Sequence, residues 1–400
     1  MGSANTSEYG SDHQHKYTIT GLTPATKYYY NVDCAGDGSF MTAPNASASN
    51  VKILAYGDTR SNPSNHNQVA GQMVNAYTND PAFQTIALLA GDWVNSGDSE
   101  SDWSSQFFPR SYSNMMQLQA DVPLIGPKGN HEQSGNLFNK YFPFPYVNNF
   151  YWSFDYGPVH VAVVDQYTSY GVGSTQYNWL ENDLANSNKE WKIITFHEPA
   201  WSAGGHSNDG TTQSAIHPLA VQYGADIIIA GHNHYYARAV VDDVHHITSG
   251  GGGAPLYSPS SGAYIVKTSK SYHHMELDFQ GAFMTATVRN DSGNVIETFS
   301  ISHSGNDAPV ADAGNDQTVT DSDESGSEPI TLDGSGSYDP DGTIVSYTWK
   351  EGSSTIATGV SPTVNLGVGT HTITLEVEDD QMVTDTDTVV ITVFSGAGGE

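Results

Sequence analysis

Five apolar runs in this chain stop at residues rich in oxygen and nitrogen donors. VKILAYGD ends at Asp58 and TIALLAGD at Asp92. VPLIGPKGNHE delivers Asn130 and His131, IITFHEP delivers His197, and IIIAGHNH delivers His232 and His234. Singly, each has a plain structural use: an Asp after a strand forms a turn or caps a helix, and a loop His is satisfied by any polar neighbour. Consecutive strand ends carrying Asp, Asp, Asn-His, His and His-x-His exceed what turns require. The donors are nitrogen and oxygen without thiolate, a set that suits zinc, manganese, iron or similar ions. Two such ions about 3.5–4 Å apart and sharing a carboxylate form a clamp for displacement at phosphorus.

Positioning these donors calls for a layered α/β domain, since ligands gather beyond the carboxyl ends of its strands. The strand candidates are 51–57, 85–91, 121–127, 159–165, 191–197 and 225–231. Several are near-continuous apolar runs, the pattern of strands buried on both faces. HNQVAGQMVNAYTN and STQYNWLENDLANS have helical periodicity, whereas HHMELDF and FMTATVRN alternate as antiparallel strands do. Upstream, Tyr17, Ile19, Tyr28, Tyr30 and Val32 flank a GLTPAT turn, which predicts a β-hairpin.

PNASASN at 44–50 and SGNDAPV at 304–310 read as linkers. Beyond the second, Lys350 is the one basic residue among many acidic ones, and short alternating strands between Gly/Asp/Pro turns predict a small β-sandwich. Three regions are therefore expected: a β segment at 1–44, the α/β domain at 51–303, and the sandwich at 308–396.

Fourteen Lys and Arg face 44 Asp and Glu, a formal net charge of -30. Such a surface repels nucleic acid and anionic membranes, so neither is expected as a partner. The lone Cys34 excludes an internal disulfide. No apolar run is long enough to span a bilayer, and residues 1–16 have neither the basic start nor the apolar stretch of a signal peptide. A leader is expected upstream of the residues given, with a secreted or periplasmic location.

The order GD–GD–GNHE–H–GHxH resembles the calcineurin-like metallophosphoesterases, and GHNHYYAR with the later SGGGGAPLY and HHMEL resembles their purple-acid-phosphatase-like branch. The resemblance spans about residues 51–303. It implies a four-layer sandwich of two mixed sheets flanked by helices. Residues 1–44 resemble the last strands of a fibronectin type III-like domain. LDGSGSYDPDGTIVSYTWK and GTHTITLEVEDD resemble a PKD domain, a module that would contact polysaccharide or protein.

Carried over residue by residue, Asp92 would bridge two ions. Asn130, His197 and His232 would complete one site, and Asp58 and His234 would serve the other. His131 would be the general acid and a metal-activated hydroxide the nucleophile, acting on a phosphorylated small molecule. His206, in SAGGHSND, stands where that branch has a substrate-facing His.

Two positions depart from the pattern. The first motif reads Asp58-Thr59-Arg60 where the wider family has DxH. Asn95 replaces the Tyr of the purple branch, so no iron charge-transfer colour is expected. Asn95, His66 or water would complete the first site. Arg60 has two readings, an ion pair with a carboxylate or a bidentate grip on substrate phosphate. The pairs His245/His246 and His273/His274 are read as structural. In the sandwich, DPDG at 339–342 and EVEDD at 376–380 are candidates for calcium; the alternative is a solvated acidic face. The expected function is phosphomonoester hydrolysis, with phosphodiester or nucleotide hydrolysis on the same site, or a non-catalytic adhesion protein, as rivals.

Overall fold

The computed structural model describes residues 5–9, 12–33, 36–303, 308–340, 342–379 and 383–396. The chain forms two compact units, Met1–Ile301 and Ser302–Glu400.

Two sheets build the first unit. One runs Val295–Ser302, Phe283–Asn290, His273–Gln280, Asn50–Tyr56, Ala87–Leu89, Leu124–Ile125, with the last three parallel. The other runs Ile265–Ser269, Tyr236–Val241, Val244–Ser249, Ile227–Ala230, Trp191–Thr195, Val159–Val163, Trp152–Tyr156. Its central strands are parallel.

Alternation along each strand sorts side chains into three cores. Ile53 and Ala55 pack with Val161, Val163, Ile193 and Ile229 between the sheets. Their neighbours Leu54 and Tyr56 face the helices Pro63–Asn79 and Ser113–Asp121 through Met73 and Leu118. On the far side, Ile194 and Ile228 meet Leu180 and Leu184 of the helix Thr175–Asn186. The result is the four-layer mixed α/β sandwich expected from the sequence, and continuous apolar runs follow because both faces of each central strand are covered.

The N-terminal segment departs from expectation. Residues 17–26 form no strand, and Tyr17 and Ile19 are exposed. The hairpin pairs Lys27–Val32 with Gly36–Met41 instead. Thr42 explains the change: its hydroxyl donates to the Thr23 carbonyl at 2.6 Å and accepts the Thr26 N–H at 2.9 Å, tying the Gly/Pro stretch down as a loop. Tyr30 Oη and Ser39 then anchor the hairpin on Ala120 and Asp121. The strand expected at 121–127 shrinks to Leu124–Ile125, because Asp121 ends the preceding helix.

The second unit is a β-sandwich. Five strands, ordered Gln317–Asp321, Thr384–Ser395, Gly369–Asp379, Ile344–Glu351, Ser354–Thr358, face the pair Ser327–Thr331 and Thr363–Gly367 across a core around Trp349. Among the described residues, the calcium candidates do not gather into a cluster. Glu376 is paired with Lys350 at 2.8 Å and Asp379 accepts the Val383 N–H, while Asp341 and Asp380 lie outside the described residues. Among the described residues of this unit, the carboxylates within reach of one another are Asp321, Asp323 and Glu328. Asp321 is occupied by the Ser325 and Gly326 amides of its own turn.

Candidate metal centre

The loops leaving five parallel strands bring the predicted donors together. Asp58, Asp92 and His232 all hold left-handed backbones, with φ of 59°, 54° and 66°. Such conformations are costly for non-glycine residues and persist where surrounding bonds fix them. Here the bonds are visible. The Asp58 carboxylate accepts the His232 N–H with both oxygens, at 3.1 and 2.9 Å. The His131 N–H donates to Asp92 Oδ1 at 3.1 Å. Two glycines clear the space: a Cβ at Gly129 would collide with Asp92 Oδ1, and one at Gly231 with Asp58 Oδ2.

Glu132 locks two of the loops and was not singled out by sequence reasoning, although it stands in the GNHE stretch. It is fully buried and accepts the N–H groups of Asp92, Trp93 and Gly129. Burial and the Asp92 charge push its carboxyl up, to about 7, against those hydrogen bonds.

On one side of Asp92, four donor atoms converge. His197 Nε2 lies 3.2 Å from Asp92 Oδ1, 3.1 Å from Asn130 Oδ1 and 3.2 Å from His232 Nδ1. His232 Nδ1 is 3.2 Å from Asn130 Oδ1. His197 Nδ1 donates to the Ala90 carbonyl at 2.8 Å, which aims Nε2 at the cluster, the orientation a metal-binding His requires. Burial pulls the His197 imidazole down, but the adjacent Asp92 carboxylate outweighs it and holds the group at about 10. Burial and the His197 charge push His232 down to about 3. Burial would raise Asp92, yet His197, His131 and Arg60 hold it well below the usual carboxylate range.

On the other side, Asp58, Asp92 and His234 present ligand atoms within 4.8 Å of one another, all buried. His234 Nδ1 donates to the Pro255 carbonyl, so Nε2 faces inward, 3.5 Å from Asp58 Oδ1. Arg60 reaches into this half. Its Nε donates to Asp92 Oδ2 at 3.0 Å, Nη1 to Asn95 Oδ1 at 3.4 Å, and Nη2 lies 3.3 Å from His234 Nε2. Arg60 thus forms an ion pair with Asp92.

His131 sits at the rim with its Nδ1 donating to the Asn95 carbonyl at 2.6 Å and its Nε2 3.9 Å from Asp92 Oδ2. The His206 ring lies over His232 at 4.1 Å. Tyr257 was missed. Its ring stacks on His234 at 4.2 Å and its hydroxyl is 3.4 Å from His206 Nε2. The signal available was the SGGGGAPLY stretch, which carried the family resemblance without naming the tyrosine.

His66 joins none of these groups. It packs fully buried between Tyr56 and Phe107, its Nε2 3.3 Å from Tyr56 Oη. His273 bonds Ser249 and Ser271, His274 bonds Glu276, and His246 pairs with His217.

Residues 51–236 match the calcineurin-like phosphoesterase family and residues 306–393 the PKD domain family. Purple acid phosphatase 15 of Arabidopsis thaliana is 28% identical over 278 residues, covering 58% of this chain and 50% of that protein. Mouse acid phosphatase type 7 is 25% identical over 295 residues, 66% of each chain. The chain spans about half the length of the plant relatives it matches. Among solved structures, the purple acid phosphatase PPD1 of yellow lupin superposes with a TM-score of 0.62 at 19% identity, over 71% of this chain and 61% of that one. The geometry around Asp92 and these likenesses agree: the chain carries a calcineurin-like phosphoesterase domain, with purple acid phosphatases among its homologues, and a C-terminal PKD domain.

Proposed function

We propose that the α/β domain is a metal-dependent phosphatase that hydrolyses phosphomonoesters. The observation that carries this reading is the convergence on His197 Nε2 of Asp92 Oδ1, Asn130 Oδ1 and His232 Nδ1, each 3.1–3.2 Å from it, with His232 Nδ1 also 3.2 Å from Asn130 Oδ1. So many lone pairs meeting in a buried loop cluster fit a cation. Asp58 and His234, with Asn95, would hold a second ion that shares Asp92. Bound ions supply Lewis acidity toward the phosphoryl oxygens and the attacking water.

The chain's own residues supply the rest. With the His131 Nδ1–H donated to the Asn95 carbonyl, Nε2 is the nitrogen left for the substrate, and the imidazolium form would present its second proton there. As the water oxygen bonds to phosphorus and the ester P–O bond breaks, that proton passes to the departing oxygen. His206 and Tyr257 form the wall the leaving group meets. The names of the similar plant and mouse phosphatases support the phosphomonoester choice. A net charge of -30 and a PKD domain fit a secreted or periplasmic protein, in which residues 308–396 contact polysaccharide or protein.

A matched pair of chromogenic substrates tests the reading. The monoester is expected to give the larger kcat/KM; a preference for the diester makes the domain a phosphodiesterase. A non-catalytic reading draws on Arg60 standing among the ligands, and it requires both substrates to be untouched with every added ion.

A further inference from the structure

We propose that the Arg60 guanidinium is the resident cation of one half of the site, so that a second metal ion binds there only by displacing it. The inference rests on the metal-site reading above and adds the order in which the two halves fill.

Three guanidinium nitrogens address three separate groups, Asp92 Oδ2, Asn95 Oδ1 and His234 Nε2, at 3.0, 3.4 and 3.3 Å. These are three of the side chains assigned to the second ion. A guanidinium is donor-only, so the lone pairs it meets are the ones an ion would need. His234 is set up as an acceptor, because its other nitrogen donates to the Pro255 carbonyl. Ion and guanidinium therefore compete for the same atoms, and at such separations their like charges also repel.

The loop that carries the side chain is held in place. The Arg60 N–H donates to the Asp92 carbonyl and the Thr59 hydroxyl to the Trp93 carbonyl. Gln106 Oε1 accepts from both Ser61 and Asn95, clamping the two loops together. The Arg60 side chain is 13% exposed, which sets it apart from a free surface arginine. The other half of the site differs: among the described residues, no ammonium or guanidinium nitrogen is a hydrogen-bond partner of Asn130, His197 or His232. Sequence agrees with geometry, since Arg60 stands where the resemblance calls for a ligand histidine.

Calorimetric titration of the metal-free full chain with Zn²⁺, for wild type, Arg60→Met and Arg60→His, tests the proposal. Wild type is expected to show one tight site and a second weaker by at least about tenfold. Arg60→Met should tighten the second site by about tenfold and leave the first unchanged, and Arg60→His should retain two ions through gel filtration. Circular dichroism checks that each variant is folded, and either variant alone carries the comparison. Two equally tight sites in wild type, or a second site indifferent to both substitutions, would overturn the inference while leaving the metal reading intact. Absence of any bound ion in all three proteins would overturn both.

Discussion

Oxygen Oδ1 of Asp92 faces the His197 imidazole, which in turn meets Asn130 and His232, whereas Oδ2 faces an arginine. Both sides draw on strand-end donors, and both are built by left-handed residues fixed through carboxylate-to-amide bonds. They differ in how the protein balances their negative charge. On the Oδ1 side the balance comes from whatever cation enters, or from a proton on His197. On the Oδ2 side a covalently tethered cation is already within hydrogen-bond distance. A carboxylate shared by two ions thus need not serve them equally, and the local sequence, Asp58-Thr59-Arg60, decides it.

Substitutions on the two sides should separate by size. Removing His197 takes a ligand from the Oδ1 side and leaves buried Asp92 without its imidazole partner at 3.2 Å. His197→Ala is expected to lose the tightly held ion and to lower turnover by at least about 10³-fold, in line with the loss of metal-assisted chemistry. Metal content that stays at the wild-type value would contradict the assignment. His131→Ala comes next, with kcat down by about 10²–10⁴-fold and ion content unchanged, because its role is proton donation and not ligation. A less basic leaving group should recover part of that loss, which a structural role for His131 would not produce. His234→Ala on the Oδ2 side should have a smaller effect on ion retention than His197→Ala, since the half it serves is the one Arg60 already fills; equal losses would remove the asymmetry.

The smallest effect lies away from both. His160 sits between Asp183 and Asp155, at 2.9 and 2.8 Å. Burial alone would lower its imidazole, but the two carboxylates outweigh that and raise it. A raised folded-state value means stability that is fully present below the unfolded value of about 6.5 and is lost as pH rises through the higher one. The Tm gap between wild type and His160→Gln should therefore shrink between pH 5.5 and pH 8.5, while turnover at fixed pH stays the same. A gap that widens with pH would reverse the sign.

Much of this was legible because strand ends are local. An apolar run and the residue after it are adjacent in sequence, so Asp58, Asp92, Asn130, His197 and His234 could be located before any packing was known. His66, offered by the sequence as a ligand of the first site, packs in the core instead, and a signal for that was available. Along the helix Pro63–Asn79 the buried residues are His66, Val69, Ala70, Met73, Val74 and Tyr77. That spacing of three and four is a core-facing stripe, and it assigns His66 to the core ahead of any ligand role. What sequence could not show depends on reach. Arg60 carries its charge at the end of a long stem whose direction is set by Asp92, Gln106 and His234, all distant in the chain. Glu132 spends its carboxylate on amides of a loop some forty residues earlier, and Tyr257 meets His234 only after a glycine-rich turn. The GLTPAT hairpin failed for a similar reason, since Thr42 supplied bonds that the local turn signal could not anticipate.

The central claim is that hydrolysis depends on ions held at Asp92. The most direct measurement is metal content per chain, taken together with turnover of a chromogenic phosphomonoester before chelation, after it, and after a divalent ion is added back. The account predicts that turnover falls with the ions and returns with them. Full turnover in metal-free protein, or no turnover with any ion restored, would contradict it.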